Sequence, residues 1–243
     1  AVPGLEAACG LLSRLREALG DNVTSFEYLS GESLALVATL PGAPAPPACE
    51  GPAFVLLEAS GSDGGALRSA LEATLADALA RGEIADAVLA VHDTQRRAMW
   101  RLREGIPAAE KALGGSIKHD VSVPLSALPA LDASARAGLV ARWPDARLSV
   151  YGHIGDGNLH FNVLAPAGTP TEAFKAHHGE AISELVHCAA CRLAGSFSAE
   201  HGVGKLKRAL LHETEGALSI ELMQRLKQML DPAGLMNPGK LVG

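Results

Sequence analysis

The sequence predicts an α+β protein, an antiparallel sheet with helices packed mainly on one face. Three observations predict it. Strand-like and helix-like stretches follow one another in mixed order, which argues against a strictly alternating parallel fold. Two strand-like runs, "RLSVYGHIG" and "NLHFNVLA", bracket an Asp-Gly pair within residues 147–165 and read as a hairpin. Long stretches with apolar residues at helical spacing, such as 171–195, supply the cover.

Taken in order, "GLEAACGLLSRLREALG" (4–20) has a helical apolar period and stops at Gly20. "NVTSFEYL" alternates like a strand, and "GESLALVATL" returns to a helical pattern. The proline-rich 41–52 reads as an extended surface insertion. "AFVLLEAS" is a buried-strand run, 66–82 a helix closed by Gly82, and "DAVLAVH" (86–92) another strand. Residues 94–115 form a long helix in which Pro107 predicts a break or kink near Gly105. "SIKHDVSVPL" (116–125) reads as a strand that leaves the sheet at Pro124, followed by an alanine-rich helical connector. After the hairpin and the helix at 171–195 come a short strand "SFSAE" (196–200), the turn "HGVG" and two more helices.

Composition narrows the function. The 243 residues carry a net charge of −6 and no basic stripe, so nucleic-acid binding is not expected. The chain is 48% hydrophobic with a mean hydropathy of +0.16, yet no window reaches the roughly 20 apolar residues of a membrane span. That excess predicts a helix-rich interior or a surface that expects a partner. Four cysteines (Cys9, Cys49, Cys188, Cys191) and no signal peptide predict a reducing, cytoplasmic setting. The chain opens "AVPGLEAACG" without Met, as an excised segment or processed product would.

The hairpin carries the chemistry. With Asp156 and Gly157 as the central residues of a type I′ turn, His153 stands opposite His160 and Asn162 opposite Tyr151. Opposed residues share a face with Cβ atoms about 4.5–5.5 Å apart, close enough for two imidazoles to share one divalent metal. Ile154, Leu159, Phe161 and Val163 then face the core. The competing reading is a cross-strand histidine pair that only hydrogen-bonds. In "SFSAEHGVGK", Glu200 and His201 are adjacent and serve one site only if a strand ends there, as Gly202 and Gly204 allow. A His, His, Glu set leaves a coordination position open, and an imidazole such as His201 is a side chain suited to act as general base. The competing reading makes Glu200 a helix cap and His201 a surface residue. Cys188 and Cys191 form a CxxC inside a helical pattern, which reads as packing.

"MWRLREGIPAAEKALGGSIKHDVSVPLS", "YGHIGDGNLHFNV", "SFSAEHGVGKLKRALL" and "DPAGLMNPGKL" occur in this order. Together they resemble the C-terminal domain of the FAD-linked oxidases of the vanillyl-alcohol oxidase superfamily. The nearest branch holds D-2-hydroxyglutarate and D-lactate dehydrogenases and the glycolate oxidase flavin subunit. The resemblance covers essentially 1–243 and implies a ferredoxin-like α+β fold. It implies that His153, His160 and Glu200 bind a divalent, zinc-like metal and that His201 removes the hydroxyl proton of a 2-hydroxy acid while hydride passes to FAD. It implies substrate contacts for Arg103, Lys118 and Asn162, and a place near the flavin for Asn237 and Lys240. Arg96, Trp100 and Arg103 share one helical face, whereas Arg97 and Arg101 read as solvated. One departure is Pro107, where the hydroxyglutarate enzymes carry a hydroxyl residue.

The family's flavin domain precedes this one. "SGSDGG" (60–65) lacks the spacing of a dinucleotide fingerprint, so FAD is expected to be held by an N-terminal domain absent from this chain, or by a partner chain. The chain alone is then expected to be inactive. The implied location is cytoplasmic, with the inner-membrane periphery as a second site. Two other classes compete: a noncatalytic metal- or carboxylate-binding module, and a metal hydrolase built on the same four residues.

Overall fold

The computed structural model describes residues 1–45 and 51–242. Cys49 and part of the proline-rich insertion lie outside the described residues; 41–45 form a turn and loop at the surface. The chain divides into two compact units, Ala1–Phe197 and Ser198–Gly243.

The first unit is α+β, as expected. Its antiparallel sheet has the order β2-β1-β4-β5-β3, from β1 (Val23–Ser30), β2 (Ala53–Ala59), β3 (Asp120–Ser122), β4 (Arg147–Gly152) and β5 (Asn158–Leu164). One face is covered by α1 (Leu5–Leu19), α5 (Leu128–Arg142) and α6 (Thr171–Arg192), with α3 (Gly64–Ala80) against α1. The buried stripe of α1, Leu5, Ala8, Leu11, Leu12, Leu15 and Leu19, repeats at three and four residues. Each buried leucine there contributes about 1.5–3 kcal/mol.

The other face is covered by α2 (Gly31–Val37) and α4 (Asp93–Ala112). Strand parity separates the two faces. Phe26, Tyr28, Val150, Leu159, Phe161 and Val163 join the large core, while Leu29 and Tyr151 pack with Leu34, Val37, Leu102 and Ile106. That second face also takes the polar strand positions Glu27, Ser149, His160 and Asn162, all buried. Ser30 caps α2 through Ser33 N–H at 3.2 Å, Asp63 caps α3 through Ala66 N–H at 2.9 Å, and His92 Nδ1 caps α4 through Gln95 N–H at 3.1 Å.

Several expectations change. Residues 86–92 form no strand; Ala85 and Asp86 bond to Ala1, and the segment stands off from β2 across a cavity of about 700 Å³. Strand propensity needs a pleated neighbour, and here Val88 and Val91 are exposed instead. The strand at 116–125 shrinks to β3 with one bridge at Ile117, because the Asn162 side chain takes the N–H of His119. The strand at 196–200 reduces to a single bridge between Ser122 and Ser196. Pro107 does not break α4; Ile106 and Ala109 are fully buried, and α4 packs so near α2 that a Cβ at Gly105 would lie 3.1 Å from Val37.

The hairpin differs by two residues. β4 and β5 pair Tyr151 with His160 and Ser149 with Asn162, not His153 with His160. The link is a longer 3-10 turn over Ile154–Asp156, closed by Asp156 N–H to His153 O and by Gly157 in the left-handed region. Burial of Ile154 inside the turn favours the longer connection over a two-residue one. An even shift preserves parity, so His160 and Asn162 keep the polar face expected of them.

The second unit holds α7 (Arg208–Thr214) and α8 (Ala217–Leu230). Asp231 closes α8, accepting the N–H groups of Leu235 and Met236 at 2.9 Å and pairing with Lys227. Hydrogen bonding from Lys227, then from the Met236 N–H, holds the Asp231 carboxyl below its usual range. Leu218, Leu222, Leu226 and Met229 make an exposed apolar stripe along α8.

Gly157 has φ +73°, and a Cβ there would lie 2.2 Å from the Val123 carbonyl oxygen. Gly157→Ala should therefore destabilise the first unit by about 2–4 kcal/mol. A urea titration followed by Trp100 and Trp143 fluorescence should show an earlier midpoint with the slope unchanged; an unmoved midpoint would refute the strain.

Candidate functional site

The polar residues of the second face converge on Glu27. Its carboxylate is 4% exposed on β1 and accepts a 2.8 Å hydrogen bond from Arg103 Nε and a 2.5 Å one from His153 Nδ1. Burial alone pushes its pKa up; the hydrogen bonds from His153 and Arg103 and the adjacent charges outweigh that and hold it below the ordinary value. Arg103 comes from α4, lies 4.6 Å over the Tyr151 ring, and brings Nη2 to 3.4 Å from His153 Nε2.

His153 occupies the hairpin turn and His160 is the third residue of β5. Their rings meet edge to face with centroids 5.6 Å apart, and each offers a nitrogen within 4.8 Å of the other. Two imidazoles sharing a zinc ion close to roughly 3.4 Å, a small movement from that separation. With His153 Nδ1 turned to the Glu27 carboxylate, a neutral ring that donates there would carry its lone pair on Nε2. The donor set therefore fits a divalent cation of borderline softness. Behind His160, Asp120 lies 3.7 Å from Nδ1 and accepts the Asn158 amide at 3.1 Å, and the Tyr151 ring is 4.9 Å away.

Asn162 is placed on the same face but is 2% exposed. Its amide nitrogen donates to Glu110 at 3.0 Å and its oxygen accepts from His119 N–H at 3.1 Å, while Ser116 donates to Glu110 at 2.8 Å. The amide expected to contact substrate is thus engaged in a buried polar floor. Lys118, beside β3, is exposed and makes no ion pair among the described residues. Arg96 and Trp100 share the face of Arg103 but turn to Glu58, with Arg96 at 2.9 Å. Arg97 and Arg101 are exposed, in line with the solvated reading.

The remaining sequence-predicted residues belong to the second unit. Glu200 and His201 are exposed beside a turn closed by Ser198 Oγ donating to Gly202 O at 2.8 Å, with Gly202 and Gly204 at positive φ. Asn237 and Lys240 lie in a turn of their own, with Lys240 Nζ 3.4 Å from Asn237 Oδ1. Leu241 N–H donates to Gly204 O and Arg208 Nη1 to Gly239 O, so this tail and the glycine turn after His201 are neighbours.

No disulfide joins Cys9, Cys188 and Cys191; both α6 cysteines sit in helix, but Cys188 is exposed and Cys191 half-buried, so the packing reading does not hold for Cys188. Burial, with Glu6 adding to it, pushes the Cys9 thiol up to about 11. The start of α3 does not fit a flavin pyrophosphate, since the Asp63 carboxylate already occupies the place of an anion.

Sequence reading missed Glu27, Asp120 and Glu110. A carboxylate between Phe26 and Tyr28 in a strand was the available signal, because a charge there has to be matched.

A family model described as FAD linked oxidases, C-terminal domain, matches residues 1–241. D-2-hydroxyglutarate dehydrogenase of Xanthomonas citri pv. viticola is 38% identical over 241 residues, covering 99% of this chain and 50% of that protein. The rat protein named D-2-hydroxyglutarate dehydrogenase, mitochondrial, is 35% identical over 242 residues, 98% of this chain and 43% of that one. The enzyme of the same name from Stutzerimonas stutzeri is 34% identical over 220 residues, 90% of this chain and 47% of that one. The chain thus spans about half the length of these curated relatives or somewhat less. No helix among the described residues is long and apolar enough to cross a membrane.

Arg103→Met removes one of the cations that match buried Glu27 and should cost about 2–4 kcal/mol of stability. Chemical denaturation of the variant reads this directly, and a loss under 0.5 kcal/mol, the scale of an unremarkable surface substitution, would refute it.

Proposed function

Because the chain belongs to the family of FAD linked oxidases, C-terminal domain, we propose that it is the substrate and metal domain of an FAD-dependent dehydrogenase that oxidises a D-2-hydroxy acid to the 2-oxo acid. The observation that carries the reading is the meeting of His153, from the hairpin turn, with His160 of the polar sheet face, beside an arginine held by Glu27.

When bound, a divalent cation would polarise the hydroxyl and carboxylate oxygens, and FAD would take up hydride from C2. His153 and His160 would hold the cation through ring nitrogens. Glu200 completes the ligand set and His201 accepts the hydroxyl proton, both assigned by their places in "SAEHGVG". Arg103 keeps Nε on Glu27 and offers its terminal nitrogens to the substrate carboxylate, a planar fork; Lys118 adds a point charge. Asn162 contributes as the polar floor next to His160. Asn237 and Lys240, exposed in the tail turn, are assigned to the flavin by their place in "NPGK". FAD is held mainly by a preceding flavin domain or a partner chain, for which the apolar stripe of α8 is a fitting surface.

The relatives are named for D-2-hydroxyglutarate. Pro107 offers no hydroxyl to a distal carboxylate, so the proposal is the D-2-hydroxy acid class rather than that one acid.

The test is oxidation of D-lactate, D-2-hydroxyglutarate and their L enantiomers by the full-length, FAD-loaded protein with an artificial electron acceptor. D-selective turnover is expected, and His201→Asn should lower kcat by about 100- to 10,000-fold with the flavin spectrum kept. Failure to oxidise any 2-hydroxy acid, or unchanged kcat in the variant, would overturn the reading.

A further inference from the structure

We propose that Glu27 is a positioning residue that fixes His153 in the tautomer bearing its proton on Nδ1 and its lone pair on Nε2. In the same act it fixes the guanidinium plane of Arg103 beside that lone pair. This rests on the assignment of His153 as a metal ligand.

The two oxygens of Glu27 divide the work. One accepts from His153 Nδ1 at 2.5 Å and the other from Arg103 Nε at 2.8 Å. The opposite ring nitrogen independently supports the same tautomer. A guanidinium only donates, so the approach of Arg103 Nη2 to His153 Nε2 at 3.4 Å is a donor meeting a lone pair. The other tautomer would set donor against donor there and turn a lone pair toward the carboxylate. Histidines that ligate metals commonly donate their second N–H to such a carboxylate, which sets both ring orientation and basicity.

Glu27 also has the rigidity that the role needs. It lies within β1, where Glu27 pairs with Leu56 on one side and the next residues pair with Gly152 and Tyr151 on the other. His153 sits in a turn at φ −82° and ψ 67°, outside the strand ladder, so its ring depends on side-chain partners for direction. A buried charge beside Phe26 and Tyr28 is costly unless matched, and Glu27 is matched by these two groups. The competing role, a plain anchor between β1 and α4 through Arg103, would affect stability alone.

The experiment measures zinc affinity of the full-length protein by competition with a chromophoric chelator. Glu27→Gln, nearly isosteric, should bind zinc about 10- to 100-fold more weakly. Glu58→Gln, the same charge change on β2, should bind as the wild type does. Equal affinity for wild type and Glu27→Gln overturns the proposal. A second measurement needs no variant of Glu27: long-range proton–nitrogen correlation of metal-free wild type, at a pH where the ring is neutral, with His153→Gln for assignment. Protonation at Nδ1 is expected, and protonation at Nε2 overturns the proposal even if Glu27→Gln fails to fold. A wild type that binds no zinc would sink the metal reading instead, leaving the tautomer to decide the role of Glu27.

Discussion

A carboxylate buried in a strand has to be matched, and the way Glu27 is matched organises the second face of the sheet. Arg103 reaches it from α4 and His153 from the hairpin turn, so one side chain ties three separate segments together. The tie works because β1 is an interior strand, and at Glu27 it is held by the β2 ladder on one side with the pairs to β4 beginning at Tyr28 on the other. Tyr151 then receives the guanidinium on its ring and the His160 ring beside it, which extends the polar cluster toward β5. Desolvation disfavours every charge in this cluster, and only reciprocal hydrogen bonding makes the arrangement stable.

Much of this was legible in the sequence because strand parity is robust. The hairpin reading misplaced the register by two residues, yet His160 and Asn162 still fell on the polar face, since an even shift exchanges no side chain between faces. His153 left its expected strand position for a 3-10 turn and nonetheless came within reach of His160. What the sequence could not show was the partner of each histidine. Glu27 lies 126 residues from His153 in the chain, and nothing local announces that contact. The buried floor of Glu110, Ser116 and Asn162 was hidden for the same reason.

The strands that failed to appear share a cause. Residues 86–92 and 196–200 have strand composition, but strand character is realised only against a neighbour. The first is tied to Ala1 at its start and then stands away from β2, which stays an edge. The second reaches Ser122 once and then enters glycines with positive φ, which turn the chain. Pro107 erred the other way: a residue that should interrupt a helix was overruled by packing around Ile106 and Ala109.

The two sheet faces divide labour in a way that explains why polar residues are tolerated in so apolar a chain. The face under α1, α5 and α6 is aliphatic and aromatic throughout, and supplies most of the burial that holds the first unit together. Stability secured there lets the opposite face carry Glu27, Arg103, His160 and Asn162, whose burial contributes little or nothing net. Helices α2 and α4 cover that face with a small apolar cluster of Leu34, Val37, Leu102 and Ile106 at one end and polar groups at the other. A site built on strands, one well-packed helix and a turn tied to β1 through Glu27 keeps its donors in register without help from a ligand. That is the physical condition for a pair of imidazoles and a guanidinium to be aimed before anything binds.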